Sequence, residues 1–363
     1  MAKERIYVCH TYYHVYVTFL KELKLPKEKQ GQATLVLSRL SNNFENLKSR
    51  VESTGLFEEV IEFDEKREDF FPELAKWRGG AKNQNTPWAF IINLFYRMKF
   101  TRLYAKLEEP YVPVDFREYK DVYVYCDSDP IGYYLNQNRI PYHALEDGLN
   151  CLKNFDAARY DNRGHFGLKV FLSRKLNLIF VQNGYGKYCI DMEVNDISAI
   201  RYPCPQYIEQ SRQELVDRLT EDDKAIILKA FIRDMDRLKA QIAESGQVGD
   251  KILILTDPLC TLDVRERIFR DIIAMYETEG TIFLKPHPRD ELDYRKLFAE
   301  YPQFDATVPM EMLNFFPGLR FKKVVAVLTE IKAIQFADEV VRLGEDFMDK
   351  YEDPLIHRQN EQI

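Results

Sequence analysis

Short apolar, β-branched runs alternate with helically spaced segments at both ends of this chain, and that alternation restricts the fold more than any other feature. Residues 6–9, 33–37, 59–63, 121–126 and 142–145 read as strands, with helices expected over 13–23 and 130–136. The pattern restarts with strands at 251–256, 281–284 and 324–328, a helix over 264–277 and another opening at 329–336. Strands that are apolar on both faces and separated by helices build a parallel sheet covered on each side. The expected class is therefore α/β, with two doubly wound halves. The section 66–117 reads as helix-rich, with a loop at 79–85; 150–201 reads as irregular, and 211–245 as one long charged helical stretch. At 363 residues the chain exceeds one simple core. The expected organisation is an N-terminal domain over 1–200, a helical linker over 201–249 and a C-terminal domain over 250–363, with a cleft between facing strand ends.

Composition removes several function classes. A net charge of −7 without a broad basic stripe argues against a nucleic-acid partner, because a phosphate backbone demands a positive surface. Six cysteines are scattered without a CxxC pair or metal-ligand spacing, which suits reduced core thiols in a cytoplasmic protein without structural zinc. Residues 1–5 lead into neither a signal peptide nor a membrane span, so the expectation is a soluble protein able to work at the inner membrane face. Neither a GxGxxG fingerprint, a Walker lysine loop nor a nucleophile elbow is present. Asp127-Ser128-Asp129 matches a metal-holding DxD, but it precedes Pro130 at a helix start, and capping is the better reading.

The candidate site residues sit at strand ends, where open α/β sheets bind ligands. In Lys285-Pro286-His287-Pro288-Arg289-Asp290, two prolines hold one histidine on a stiff, extended loop after the 281–284 strand. Asp257 and Asp263 flank the turn after the 251–256 strand, and Asp263 also reads as a helix-capping residue. Glu311, among apolar neighbours, suits either a ribose hydroxyl or a helix start. Thr329 ends a strand where a helix is expected, which would make an anion site or an ordinary N-cap. Together these residues fit a nucleotide whose phosphate is a leaving group. In the first half, Glu146-Asp147-Gly148 closes a strand with two carboxylates that must point to opposite sides, so at most one serves a ligand. His10 and Thr11, at the first strand end, are candidates for contacting a sugar.

These residues resemble those of bacterial sialyltransferases of glycosyltransferase family 52, the lipooligosaccharide sialyltransferase group, and more distantly of family 80. The likeness rests on Glu146-Asp147-Gly148, Lys285-Pro286-His287-Pro288, Pro309-Met310-Glu311, Thr329 and the 193–196 region. It implies a GT-B fold of two Rossmann-like domains. It also implies metal-independent, inverting transfer from CMP-sialic acid to a glycan hydroxyl, with no cofactor, no metal ligand and a homodimeric assembly. Lys285, Pro286, Pro288, Glu311, Thr329 and Asp257 would bind the donor nucleotide, and His10, Thr11, Glu146 and Gly148 would lie on the acceptor side. His287 would touch the CMP phosphate and act as general acid. The family 52 likeness makes Asp263 the base, and the family 80 likeness makes it Asp147. The partners implied are a CMP-sugar and an oligosaccharide or glycolipid, with peripheral membrane association left open. Two departures stand out: Thr329-Glu330 replaces a serine pair common in relatives, and Asp257-Pro258 replaces Gln-Pro. A CDP-glycerol or CDP-ribitol phosphotransferase and a non-catalytic nucleotide- or glycan-binding relative are the alternative readings.

Overall fold

The computed structural model describes residues 3–78, 87–148, 150–153, 156–246, 249–316, 318–329 and 331–358. The 79–85 tract and Glu330 lie outside them. The chain divides between Arg218 and Leu219 into two compact units, a boundary inside the 201–249 span.

Unit one is a seven-stranded parallel sheet made of β1 (Lys3–Cys9), β2 (Ala33–Ser38), β3 (Glu59–Phe63), β4 (Tyr119–Tyr125), β5 (Tyr142–Leu145), β6 (Cys189–Val194) and β7 (Tyr207–Glu209). Its strand order is β3-β2-β1-β4-β5-β6-β7. The chain runs outward from β1 to β3, then returns to β4 beside β1. That reversal makes the β1/β4 edge a topological switch point, the place where such sheets bind ligands. Ile6, Val8, Val36, Val122, Val124 and Ala144 form the centre of the core.

Unit two repeats the scheme with β8 (Lys251–Leu255), β9 (Thr281–Lys285), β10 (Phe321–Ala326) and β11 (Ala337–Arg342), all parallel, in the order β11-β10-β8-β9. Its switch point falls between β8 and β10. The helix Leu262–Tyr276 lays Ile268, Phe269, Ile272 and Ile273 on Ile252, Ile254 and Leu284, a spacing that puts one helix face on the sheet.

Three expectations fail. The 150–201 section is not irregular: it holds β6 and the helix Phe166–Arg174, and β6 is hard to recognise because the buried Glu193 interrupts it. The 211–245 stretch is three helices, Arg212–Asp217, Glu221–Phe231 and Met235–Gly246. A capping box between Thr220 and Asp223 restarts the second. No helix opens at Thr329. Asn314 accepts from the Gln335 amide at 2.9 Å and donates to the Ala333 carbonyl at 2.8 Å, and β11 pairs with β10 instead. These tertiary bonds override a segment of good helical propensity. Among the described residues no helix is long and apolar enough to cross a membrane.

Candidate active site

At the switch point of unit one, β1 ends at Cys9 and the chain turns through His10 and Thr11 into the helix Tyr12–Lys24. Thr11 caps that helix by accepting from the His14 amide at 3.2 Å, and it is buried. His10 is also buried, its Nε2 2.8 Å from Glu65 and 3.5 Å from Asp129. Burial alone would lower the His10 pKa, but Glu65 and Asp129 carry it up to about 9. Burial pushes Asp129 up to about 7 against the pull of His10. Thus His10 and Thr11 serve the frame of the site.

The carboxylates at the end of β5 diverge. Glu146 is fully buried, accepts from the Asn195 amide at 3.0 Å and is pushed up to about 7 by burial, which Arg212 opposes. Asp147 turns the other way and is partly exposed, with Oδ1 2.5 Å from His14 Nε2. The His14 Nδ1 accepts from the His10 amide at 3.0 Å. The neutral ring therefore carries its proton on Nε2 and donates it to Asp147. Tyr125 stacks on the same imidazole at 4.3 Å and 9°, so the ring has one orientation. Gly148 follows with φ +105°, a turn that a side chain would strain. His14 was passed over in the sequence, since nothing in its spacing points to Asp147, 133 residues on.

The donor atoms of His10, His14 and Cys126 lie within 4.8 Å of one another. By type the set suits a soft divalent ion. Both imidazoles, however, already face carboxylates at hydrogen-bond distance. Asp127 of the DxD-like tract is buried and accepts from the Asn183 amide at 2.7 Å, the Gly184 amide at 3.4 Å and the Tyr142 hydroxyl at 3.1 Å. Asp129 takes the N-cap position of the helix Pro130–Gln137, without a side-chain cap bond, and Asp127 is spent on these donors. A Cβ on Gly132 would stand 1.8 Å from the Asp127 carbonyl oxygen, so the turn requires glycine there.

In unit two, β9 delivers the Lys285-Pro286-His287-Pro288 loop. Lys285 is buried and donates to the carbonyls of Pro286 and Ala306, both at 3.1 Å. Burial lowers its pKa to about 8, with Asp305 and Glu311 opposing. The half-buried Glu311, in the 3-10 turn Met310–Phe315, is raised by burial. Lys285 and Glu311 thus come together, the lysine as a brace under the loop. The His287 amide donates to Thr256 Oγ1 at 3.0 Å, and its Nδ1 accepts from the Arg289 amide at 3.1 Å. The neutral ring again carries its proton on Nε2, the nitrogen able to donate to a ligand. Pro286 is half-buried and Pro288 exposed.

Two residues missed in the sequence hold this loop. Arg265 meets Asp290 at 2.5 Å and donates to the carbonyls of Leu259 (2.6 Å) and Cys260 (2.9 Å). Asp290 also accepts from the Tyr294 hydroxyl at 2.7 Å and the Leu292 amide at 3.0 Å. The loops after β8 and β9 are therefore tied together.

Asp257 and Thr329 meet across the switch point. The Thr329 hydroxyl donates to the Asp257 carboxylate, which also accepts from the Leu328 amide at 3.1 Å and the Thr329 amide at 3.3 Å. Burial raises Asp257, and those donors oppose it. The helix-end anion site expected at Thr329 is absent, because its hydroxyl and amide serve Asp257. Asp263 is exposed in the first turn of the Leu262–Tyr276 helix, and the Thr261 hydroxyl holds its carboxyl low.

The sequence profile of glycosyltransferase family 52 matches residues 88–327, more than half of the chain. The chain belongs to that family. Three solved structures share its fold. The α/β-galactoside α-2,3-sialyltransferase of Photobacterium phosphoreum is 12% identical at a TM-score of 0.51, over 94% of this chain and 90% of that one. A 2,6-sialyltransferase of a Photobacterium species, complexed with CMP and lactose, is 11% identical at 0.53, over 93% and 71%. The GT-B domain of a Photobacterium damselae sialyltransferase is 11% identical at 0.51, over 99% and 96%. The fold is GT-B. A curated relative, an uncharacterized protein of Haemophilus influenzae, is 27% identical over 122 residues, which make up 32% of this chain and only 37% of that protein.

Proposed function

We propose that the chain is an inverting, metal-independent glycosyltransferase that moves sialic acid from CMP-sialic acid to a hydroxyl of a surface glycan. The observation that carries this reading is the fixed tautomer of His287, whose Nδ1 accepts from the Arg289 amide, which leaves the ring proton on Nε2. Membership of family 52 and the sialyltransferase fold support it. In the reaction, Asp147 accepts the proton of the attacking hydroxyl. A new bond forms at the anomeric carbon as its bond to the CMP phosphate breaks, and the electron pair leaves with CMP. The His287 imidazole donates from Nε2 to that phosphate and so offsets the charge building on it. CMP is already a good leaving group, which lessens the demand for a metal. Of the two candidate bases this reading takes Asp147, whose carboxylate His14 orients at 2.5 Å.

The test is incubation with CMP-sialic acid and a galactosyl acceptor, with free CMP measured. Wild-type protein should release CMP only when acceptor is present, and His287→Ala should lose turnover with its circular dichroism unchanged. Absence of both CMP release and CMP binding by calorimetry would overturn the reading. Turnover with CDP-glycerol instead would favour the phosphotransferase alternative.

A further inference from the structure

The switch point of unit one gathers three metal-ligating side chains whose combination the transfer reaction does not explain. His10 follows β1, His14 lies one turn on in the helix Tyr12–Lys24, and Cys126 follows β4, the strand paired with β1. One donor atom from each lies within 4.8 Å of the other two. Metal–ligand bonds of about 2.0–2.3 Å set tetrahedral donors about 3.5 Å apart, so the three need to close by little more than an ångström.

One nitrogen singles the cluster out. His10 Nδ1 is buried without a hydrogen-bond partner among the described residues, while Nε2 of the same ring stands 2.8 Å from Glu65. Such a buried nitrogen is costly. A histidine that binds a metal through one nitrogen commonly gives the other to a carboxylate, and His10 already holds that second half. In His14, Nδ1 is taken by the His10 amide, which leaves Nε2 for an ion. That nitrogen and the Cys126 thiol both meet the Asp147 carboxylate. With Glu65 and Asp129 beside His10, three carboxylates surround the donors and offset a divalent charge. Hard cations choose oxygen ligands, whereas two imidazoles and a thiolate suit zinc and its soft neighbours. Cys126 is half-buried and Asp147 partly exposed, so this side of the cluster opens to solvent.

We propose that His10, His14 and Cys126 form a binding site for a zinc-class cation, and that an ion seated there stops transfer by taking the His14 nitrogen that orients Asp147. Binding releases to solvent the protons of the Cys126 thiol, His14 Nε2 and His10 Nδ1, and the ion takes the freed electron pairs without any change of oxidation state. The ion is an inhibitor and not a cofactor. The site stands apart from the proposed reaction, and only the inhibition rests on that reading.

The experiment titrates the full chain, dialysed against a chelator, with zinc chloride in a calorimeter and with cobalt chloride followed by absorption. The wild type should bind one equivalent of zinc, and cobalt should give a thiolate-to-metal charge-transfer band in the near ultraviolet. Cys126→Ser should weaken zinc roughly a hundredfold and lose the band, with its circular dichroism unchanged. Cys151→Ser, at the exposed thiol 3.7 Å from Asp147, should change neither. Zinc should stop CMP release by the wild type, a chelator should restore it, and Cys126→Ser should turn over at the zinc concentration that stops the wild type. Absence of zinc binding, equal affinity in Cys126→Ser, or a cobalt band lost in Cys151→Ser instead would overturn the site. A bound ion that leaves wild-type turnover unchanged would overturn the inhibition. Absence of CMP release under every condition would overturn the transfer reading and the inhibition with it, while calorimetry and the cobalt band still decide the site.

Discussion

The two switch points position a chemical group by opposite means. In unit one, ionisable groups hold one another: His10 sits between Glu65 and Asp129, and His14 holds Asp147. In unit two, backbone and hydroxyl groups do most of the holding. His287 is fixed by the Arg289 amide and Thr256, Asp257 by Thr329 and two amides, and a buried ion pair, Arg265 with Asp290, stands behind the loop. A pair of ionisable side chains ties geometry to protonation, whereas an amide donates at any pH. The first arrangement suits a group that must exchange a proton at a tuned pH, and the second suits one that must keep its place under a charged ligand.

Changes at five positions, grouped in four tests, should break or sharpen that contrast. The largest effect is expected from Asp147→Asn, with kcat falling roughly a thousandfold and the donor KM nearly unchanged. His14→Gln, which keeps a donor, should retain more activity than His14→Ala, and the Ala variant should also shift the pH–rate profile. Equal losses without a shift would reduce His14 to a packing role.

Next, Arg265→Ala leaves the Asp290 carboxylate buried without its ion partner and should cost roughly 3–5 kcal/mol in urea unfolding. An unchanged midpoint would show that the β8 and β9 loops do not depend on this tie.

The third concerns pH. Glu146, raised from 4.5 to about 7, imposes no cost below its ordinary value and a growing one up to about pH 7. His10, raised from 6.5 to about 9, contributes stability that is complete below 6.5 and lost as pH rises through 9. Wild-type stability should therefore decline toward alkaline pH. Glu146→Gln should remove the earlier part of the decline, on the order of 2–3 kcal/mol. Parallel curves for the two proteins would refute the buried-carboxyl account. The smallest effect belongs to Asp263→Asn, an exposed first-turn substitution expected to stay within about 0.5 kcal/mol and to leave turnover intact. A large loss of turnover would return the base role to Asp263.

Eight strands of the two sheets, the parallel class and the loop carrying His287 were legible because each depends on local pattern: apolar runs, helical spacing and two prolines. The residues that orient the candidate groups were not. His14 lies 133 positions from Asp147, and Arg265 lies 25 from Asp290, so no local spacing relates either pair. β6 escaped notice because its buried Glu193 becomes tolerable only when Lys21 and Arg212, distant in the chain, close on it at 2.5 and 2.7 Å.

By itself, the sequence determined most of the segments that become strands, that the two sheets are parallel, and which of those strand ends carry titratable side chains, since burial of apolar runs and backbone stiffness are properties of short stretches. Only the tertiary structure decided which of those side chains face outward. It turned Glu146 inward and Asp147 toward His14, and gave the Thr329 hydroxyl to Asp257. The physical reason is that a side chain's role follows from its partner and its burial, and both are set by contacts between distant segments.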